Sequence, residues 1–297
     1  MLAVPRDTPE AERLWRELAW EHLQADPAWP RVRPSLLREL GVYGGGAGVW
    51  ADLDNTRALT ENGVAVSILH TGDHYDDDLD DRGILYYYPA TRRRGSHDQN
   101  EVQSVKNAMF LAMPDFVVIK VGDLREVRRA WVMDFDDSSS QFLFEFSESP
   151  QRYTIEVDRP FEARESRRRT PDLVVRIERN PRFKFEVAKR FRGMCAVSDL
   201  GVPKMLEAAH VVPVSKGGSD DPRNGILLSA SHHRAFDRQL WTINPSTLAI
   251  ETRPSGPSLD KMKFSRRSVE HLADLRCLPH REALEVNYEL FREAAGL

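Results

Sequence analysis

The chain has 297 residues, a formal net charge of −4, 41% hydrophobic residues and 30% charged residues. This length predicts two compact domains, and this apolar content excludes a globally disordered protein. No run of residues is apolar enough to span a membrane, and Pro5–Asp7 stands where a signal peptide needs apolar residues, so we expect a cytoplasmic protein with no membrane partner. Cys195 and Cys277 are too few for a disulfide framework or a four-cysteine zinc site, and we expect no structural zinc.

The charges are segregated along the sequence. Six aspartates and no Lys or Arg lie between Asp73 and Asp81, whereas Arg159 to Arg192 contains 12 Lys or Arg against five Asp or Glu. The low net charge therefore does not exclude a nucleic-acid partner, because a local basic segment can bind phosphates.

The first part of the chain predicts a helical segment over residues 1–40 and a mostly β domain over 41–157. Thr8 caps a helix that runs to residue 24, with Pro9 in its first position and Leu14, Trp15, Leu18 and His22 at helical spacing. A helix is also predicted near Asn100–Ala112. The predicted strands are Val64–Leu69, Ile84–Tyr88, Phe116–Val121, Ala130–Phe135, Phe142–Phe146 and Tyr153–Val157.

The second part predicts a basic linker over residues 158–184 and a second domain over 185–297. Pro160, Pro171 and Pro181 interrupt the linker, where apolar residues are sparse. The second domain contains a predicted strand at Leu206–Val212 and a helix that starts near Ser231. A helical pattern after Val269 packs on the core of this domain or supplies a dimer face.

A chemically suggestive set of residues lies in the second domain. His210 follows a strand, Asn224 comes 14 residues later, and His233 and Asp237 lie four residues apart on the predicted helix. Side chains at this spacing share a helix face, so His233 and Asp237 can reach one divalent cation. Such a cation stabilises charge on a phosphodiester during cleavage, while a neutral histidine such as His210 can take a proton from water. The amide of Asn224 can tie the intervening loop to the strand.

These motifs, Leu-Glu-Ala-Ala-His ending at His210 and His-x-x-x-Asp starting at His233, resemble the HNH (ββα-metal) nucleases. The resemblance implies that His210 is the general base, Asn224 the middle asparagine, and His233 and Asp237 the metal ligands. Many HNH enzymes have a further ligand just before the base, where this chain has Ala209. A site with two protein ligands, water and phosphate suits Mg²⁺ or Mn²⁺.

The first domain contains a second unusual set, the acidic run around Tyr75 and Asp78 and a tyrosine-rich strand ending at Tyr88. One interpretation is a solvated acidic loop beside that strand. The other is an aromatic slot, because two tyrosine rings can sandwich a nucleobase while an aspartate accepts a hydrogen bond from the exocyclic amine of cytosine.

Residues 41–157 also resemble the SRA domain, a PUA-type reader that flips modified cytosine out of DNA. The elements that carry the resemblance are Ala47–Trp50, Val66–Gly72, Tyr75–Asp80, Gly83–Tyr88, Gly95–Asp98 and Asn107–Ala108. The resemblance implies that Tyr75 and Tyr88 stack on the base and that Asp78 accepts from its edge. Pro89 stands where the family usually has Thr. Three arginines follow this strand and are candidates for contacts to the DNA backbone: Arg92, Arg93 and Arg94.

Together the two halves resemble the SRA-HNH modification-dependent restriction endonucleases. The expected fold is α+β, with an SRA-like domain and a C-terminal ββα-metal HNH domain. The expected activity is metal-dependent cleavage of double-stranded DNA that carries 5-methylcytosine or 5-hydroxymethylcytosine, by a homodimer if both strands are cut. Two alternatives remain, namely an HNH nuclease or nickase indifferent to modification and a non-catalytic protein that binds modified DNA.

Overall fold

The computed structural model describes residues 5–44, 46, 48–71, 79–91, 95–149, 160–164 and 180–297. The chain divides into two compact units. The N-terminal unit comprises Met1–Phe135 and Gln141–Thr154, and the C-terminal unit comprises Asp136–Ser140 and Ile155–Leu297. Among the helices that the structure describes, none is both long enough and apolar enough to cross a membrane.

The N-terminal unit is a sheet with helices on both sides. Its helices are α1 (Pro9–Gln24), α2 (Pro34–Leu40), α3 (Leu53–Thr56) and α4 (His97–Phe110). Its strands are β1 (Arg31–Val32), β2 (Val49–Ala51), β3 (Ala65–His70), β4 (Gly83–Tyr87), β5 (Pro114–Val121), β6 (Leu124–Asp136) and β7 (Gln141–Phe146). The strand order is β2-β3-β5-β6-β7-β4, with β1 paired to β6 and with β3 parallel to β5. The predicted strand Tyr153–Val157 lies outside the described residues.

Strand β5 carries apolar residues at successive positions because both of its faces are buried. Phe116 and Val118 pack in a core cluster with Trp15 of α1, whereas Val117 and Ile119 pack in a second cluster with Val105 of α4. Successive side chains of a strand point to opposite faces, so a sheet covered on both sides needs apolar residues at every position. The region predicted as a separate helical segment therefore supplies one of the two cores.

Helix α1 begins as predicted, since the Thr8 side chain accepts from the backbone N–H of Ala11 and Pro9 occupies the first turn. Its buried face differs from the predicted one. Leu14 is 53% exposed, whereas Glu12 and Arg16 are fully buried. The reason is an ion network, described next, that the apolar spacing alone does not reveal.

Five charged side chains form this buried network. Glu12 accepts from Arg6 at 2.6 Å and from Arg16 at 2.8 Å. Arg6 also donates to Asp52 at 2.7 Å, and Arg16 donates to Asp115 at 3.0 Å. Charges removed from water are tolerated only when they are paired in this way, so the network fixes α1 against the sheet.

The C-terminal unit contains the predicted ββα arrangement. Its helices are α5 (Pro181–Arg190), α6 (Ala230–Asp237), α7 (His271–Asp274) and α8 (Arg281–Ala295). Its strands are β8 (Leu206–His210), β9 (Gly225–Ser229), β10 (Trp241–Ile243) and β11 (Ile250–Thr252). Strands β8 and β9 pair antiparallel, with His210 opposite Gly225, and α6 follows β9 directly. Ser229 caps α6 by accepting from the backbone N–H of His232.

Helix α5 begins at Pro181, within the stretch that we predict as linker. Asn180 caps it by accepting from two backbone N–H groups of the first turn, and Pro181 suits that turn. Phe183 and Val187 are buried on β9. The helix packs so closely that a Cβ on Gly225 would lie 2.2 Å from the Val187 side chain. Glycine at 225 therefore sets the approach of α5 to the strand that faces His210.

Candidate active site

His210 lies at the end of β8 with its imidazole held on two sides. The ring stacks on Phe183 of α5, with centroids 3.9 Å apart and planes 9° from parallel. Its Nε2 lies 3.0 Å from Oδ1 of Asp220. The His210 side chain is 19% exposed, so solvent still reaches the ring.

Asn224 holds the loop that joins β8 to β9. It is fully buried, its Oδ1 accepts from the backbone N–H of Val212 at 2.9 Å, and its Nδ2 donates to the carbonyl of Ser219 at 2.9 Å. The loop also needs glycine at 218, because a Cβ there would lie 1.8 Å from the Val212 carbonyl oxygen. The loop therefore turns back sharply, and Asp220 reaches His210.

His233 projects from α6 between two carboxylates. Its Nδ1 donates to Oε2 of Glu207 on β8 at 2.7 Å, and its Nε2 lies 3.4 Å from Oδ2 of Asp237. The hydrogen bond from His233 is the main reason that the pKa of Glu207 is lowered from its usual value. Glu207 therefore stays ionised and orients the His233 ring with Nε2 toward Asp237.

The pair of His233 and Asp237 fits a divalent cation. Donors 3.4 Å apart can both lie about 2.1–2.3 Å from one ion, and imidazole nitrogen and carboxylate oxygen are ordinary ligands for such ions. Across the described part of the chain, no three His, Cys, Asp or Glu side chains are grouped to hold one metal. The pair would therefore share an ion with water and substrate oxygens.

His232, the neighbour of His233, belongs to the core. It is 5% exposed, and its Nε2 lies 3.0 Å from the carbonyl oxygen of Met262. Cys195 is buried with Sγ 3.9 Å from Nδ1 of His232. Burial alone would raise the pKa of the Cys195 thiol, but hydrogen bonds from His232, Ser198 and the backbone lower it to about 7. Cys195 thus packs in the core and is also hydrogen-bonded there.

The predicted base-binding residues fall mostly outside the described part of the chain. Tyr75, Asp78 and Arg92–Arg94 are not described. Tyr88 follows β4 and is half-buried, with its ring 4.5 Å from that of Phe142 and Nζ of Lys106 5.7 Å from its centroid. The structure therefore gives a position for Tyr88 and leaves the rest of the aromatic slot as a prediction.

Sequence reasoning missed two carboxylates, Glu207 and Asp220. Each contacts one of the two predicted site histidines, at 2.7 Å and 3.0 Å. Glu207 is part of the Leu-Glu-Ala-Ala-His motif, and Asp220 lies in the loop between His210 and Asn224. A signal was available, since a histidine that binds metal or moves a proton usually has a carboxylate partner.

The paired strands β8 and β9 and the following helix α6 form a ββα unit, which carries the candidate site residues His210, Asn224, His233 and Asp237. Residues 195–244 match the sequence model of a family described as HNH endonuclease. The chain therefore carries an HNH endonuclease domain, and it is a nuclease hydrolase. HNH endonucleases generally use a divalent metal ion and act on DNA.

No curated protein matches the chain. Among solved structures, the modification dependent TagI restriction endonuclease is 15% identical with a TM-score of 0.33, covering 87% of this chain and 90% of that one. The Type IV phosphorothioation-dependent restriction endonuclease ScoMcrA is 14% identical with a TM-score of 0.27, covering 95% of this chain and 64% of that one. This chain thus spans less than two thirds of the ScoMcrA chain.

Proposed function

We propose that the protein is a modification-dependent DNA endonuclease that binds double-stranded DNA carrying 5-methylcytosine or 5-hydroxymethylcytosine and hydrolyses its phosphodiester bonds. The observation that carries the hydrolytic half is the placement of His210 and the His233–Asp237 pair on one ββα unit within the matched segment. The half that reads the modification rests on the SRA-like motifs between residues 41 and 157.

In this proposal, His210 takes a proton from the water that attacks the phosphate. A general base must be neutral, solvent-accessible and held in position, and the stacked, partly exposed ring of His210 meets the last two conditions. Nε2 of His233 and the Asp237 carboxylate would hold a divalent cation, with Glu207 fixing the ring of His233. A divalent cation bound there, Mg²⁺ or Mn²⁺, supplies positive charge to the scissile phosphate and the leaving oxygen.

The reader half assigns Tyr75 and Tyr88 to stack on a flipped base and Asp78 to accept from its exocyclic amine. Arg92, Arg93 and Arg94 contact the DNA backbone in the same proposal. Tyr88 already packs against Phe142, which fixes one side of its ring. One nuclease site cuts one strand, so a double-strand break requires a homodimer or two binding events.

The test is cleavage of one amplicon prepared with cytosine, 5-methylcytosine or 5-hydroxymethylcytosine, with Mg²⁺ and separately with Mn²⁺. We expect cutting of modified DNA only. Equal cutting of all three would contradict the reader half, and binding of modified DNA without cutting would contradict the endonuclease half.

Two variants test the cleavage half and the reader half of the proposal separately. His210→Ala should bind modified DNA as the wild type does and cut it at least about 10²-fold more slowly. His271→Ala, which changes a histidine on α7 of the same unit, is the matched control and should cut normally. Tyr75→Ala should lose the preference for modified DNA, while Tyr75→Phe, which keeps the ring, should retain it.

A further inference from the structure

The segment around Asn180 extends the candidate active site upstream of the matched family segment, which begins at residue 195. We infer that Asp220, held by Asn180, is a positioning residue that fixes the proton-accepting tautomer of His210, whose ring stacks on Phe183. The inference rests on the proposed role of His210 as general base, and it concerns which nitrogen of the ring accepts the proton and what determines that choice.

The tautomer follows from the chemistry of the contact. An ionised carboxylate can only accept hydrogen bonds, so Asp220 Oδ1, 3.0 Å from Nε2 of His210, requires a proton on Nε2. In the neutral ring the lone pair then lies on Nδ1, and Nδ1 is the atom that takes the proton from water. The imidazolium formed in this step lies beside the carboxylate, which stabilises it.

Asp220 is itself held from the other side. The side-chain Nδ2 of Asn180 donates to Oδ2 of Asp220 at 3.2 Å, while Oδ1 of Asn180 caps α5. The same helix presents Phe183 to the face of the His210 ring. One short segment thus sets both the plane of the ring and the orientation of its carboxylate partner.

The backbone next to Asp220 is fixed as well. Ser219 donates from its N–H to the carbonyl of Ala163 at 3.2 Å and from its hydroxyl to the carbonyl of Glu162 at 2.7 Å, and its own carbonyl accepts from Asn224. A loop tied at so many points holds its carboxylate in place before substrate binds. Such preorganisation is what a group acting on a catalytic base needs.

The isosteric variant Asp220→Asn tests the inference because it exchanges donor and acceptor in the hydrogen bond between residue 220 and His210. Asn180 donates toward residue 220, so the new amide directs its oxygen to Asn180 and its NH₂ to His210. The ring must then accept at Nε2 and carry its proton on Nδ1, which leaves no lone pair for water. We expect the single-turnover cleavage rate to fall about 10²-fold, with DNA affinity unchanged.

A double-mutant cycle distinguishes positioning from a general structural role. In the His210→Ala background, Asp220→Asn should lower the residual rate less than about twofold, because the partner through which it acts is gone. Asp221→Asn makes the same chemical change at the neighbouring carboxylate, which pairs with Arg223, and should leave cleavage within about twofold of wild type. Wild-type cleavage by Asp220→Asn, or an equal loss in both backgrounds, would overturn the inference.

A second readout does not depend on residual activity. The ¹⁵N chemical shifts of the His210 ring, assigned by their absence in His210→Ala, report directly which nitrogen carries the proton. We expect protonated Nε2 in the wild type and protonated Nδ1 in Asp220→Asn, and identical shifts in both proteins would overturn the inference. Normal cleavage by His210→Ala would instead show that the proposed general base itself is wrong.

Discussion

The two units use buried charge in different ways. In the N-terminal unit, the side chains of Arg6, Glu12, Arg16 and Asp115 are at most 4% exposed. In the C-terminal unit, the His210–Asp220 pair is 19% and 20% exposed, and the His233–Glu207 pair is 22% and 43% exposed. One set of charges is sealed in the core, and the other lies where solvent and a ligand can reach it.

The hydrogen bonds show what this difference means. Arg16 donates to Glu12, to Asp115 and to the backbone carbonyls of Pro114 and Ala65, so its donors are used within the fold. His210 instead has one ring nitrogen fixed by a carboxylate and a ring that is partly exposed. Buried charges whose donors are used within the fold indicate a structural role, whereas fixed but accessible charges indicate a chemical one.

The largest effect expected from this contrast is on cleavage. Asp237→Asn removes a carboxylate that is 56% exposed, so we expect cutting to fall about 10³-fold while stability stays within about 0.5 kcal/mol of wild type. Any stability change should be favourable, because a negative charge at the end of α6 opposes the helix dipole. Asp274→Asn at the end of α7 is the control for cleavage and should leave the cleavage rate unchanged.

The opposite result is expected for Glu12→Gln. This change leaves Arg6 and Arg16 without their shared partner in the core and should cost about 3–5 kcal/mol in the free energy of unfolding. Urea unfolding followed by tryptophan fluorescence measures it, since five of the six tryptophans lie in the N-terminal unit. Glu10→Gln, on the exposed side of α1, should stay within about 0.5 kcal/mol. A small effect of Glu12→Gln on the free energy of unfolding would contradict the structural role assigned to the buried charges of the N-terminal unit.

A smaller loss is expected for Glu207→Gln. The carboxylate orients His233 without being one of the proposed ligands, and such partners typically contribute about 10–100-fold to metal affinity or activity. The check is the concentration of Mn²⁺ that gives half-maximal cleavage, which should rise in the variant. If Glu207→Gln abolished cleavage as completely as Asp237→Asn, Glu207 would be a ligand itself.

The smallest effect concerns pH. Arg6 and Arg16 are balanced by Glu12 and Asp52, so Asp115 is a fifth, surplus charge, and its burial raises its pKa to about 7. A carboxyl whose pKa is higher in the folded state binds a proton that the unfolded chain releases, so its contribution to stability falls as pH rises from about 4 toward 7. Asp115→Asn should flatten the fall of the urea midpoint of the N-terminal unit between pH 5 and 8. An unchanged slope in Asp115→Asn would contradict this assignment.

Much of the geometry of the candidate site in the C-terminal unit was predictable because its signals are local in sequence. His210, Asn224, His233 and Asp237 lie within a span of 28 residues, and helix periodicity puts the last two on one face. Glu207 was not predicted, because its contact with His233 spans 26 residues and depends on how β8 packs against α6. The ion network around Arg16 was missed for the same reason, since its partners other than Glu12 are 49 to 99 residues away.

Helix α5 was missed although its signals were present. Asn180 and Pro181 form an ordinary helix start, and Phe183, Val187 and Phe191 recur at helical spacing. The basic residues between these apolar positions are typical of a linker. The prediction followed this basic composition and not the helical spacing of the apolar residues. The aromatic slot around Tyr75 and Asp78 remains a prediction, as these residues are not described.

Helix α5 also determines where the nuclease can be separated from the rest of the chain. A fragment that starts at Cys195 retains the whole histidine–asparagine–histidine signature, yet it lacks Phe183, Val187 and the cap at Asn180. Gly225 has no side chain, which lets α5 pack closely against it. In such a fragment Gly225 would be exposed to water, next to an apolar strand that α5 no longer covers. The smallest autonomous catalytic piece of this protein therefore begins upstream of its recognisable motif.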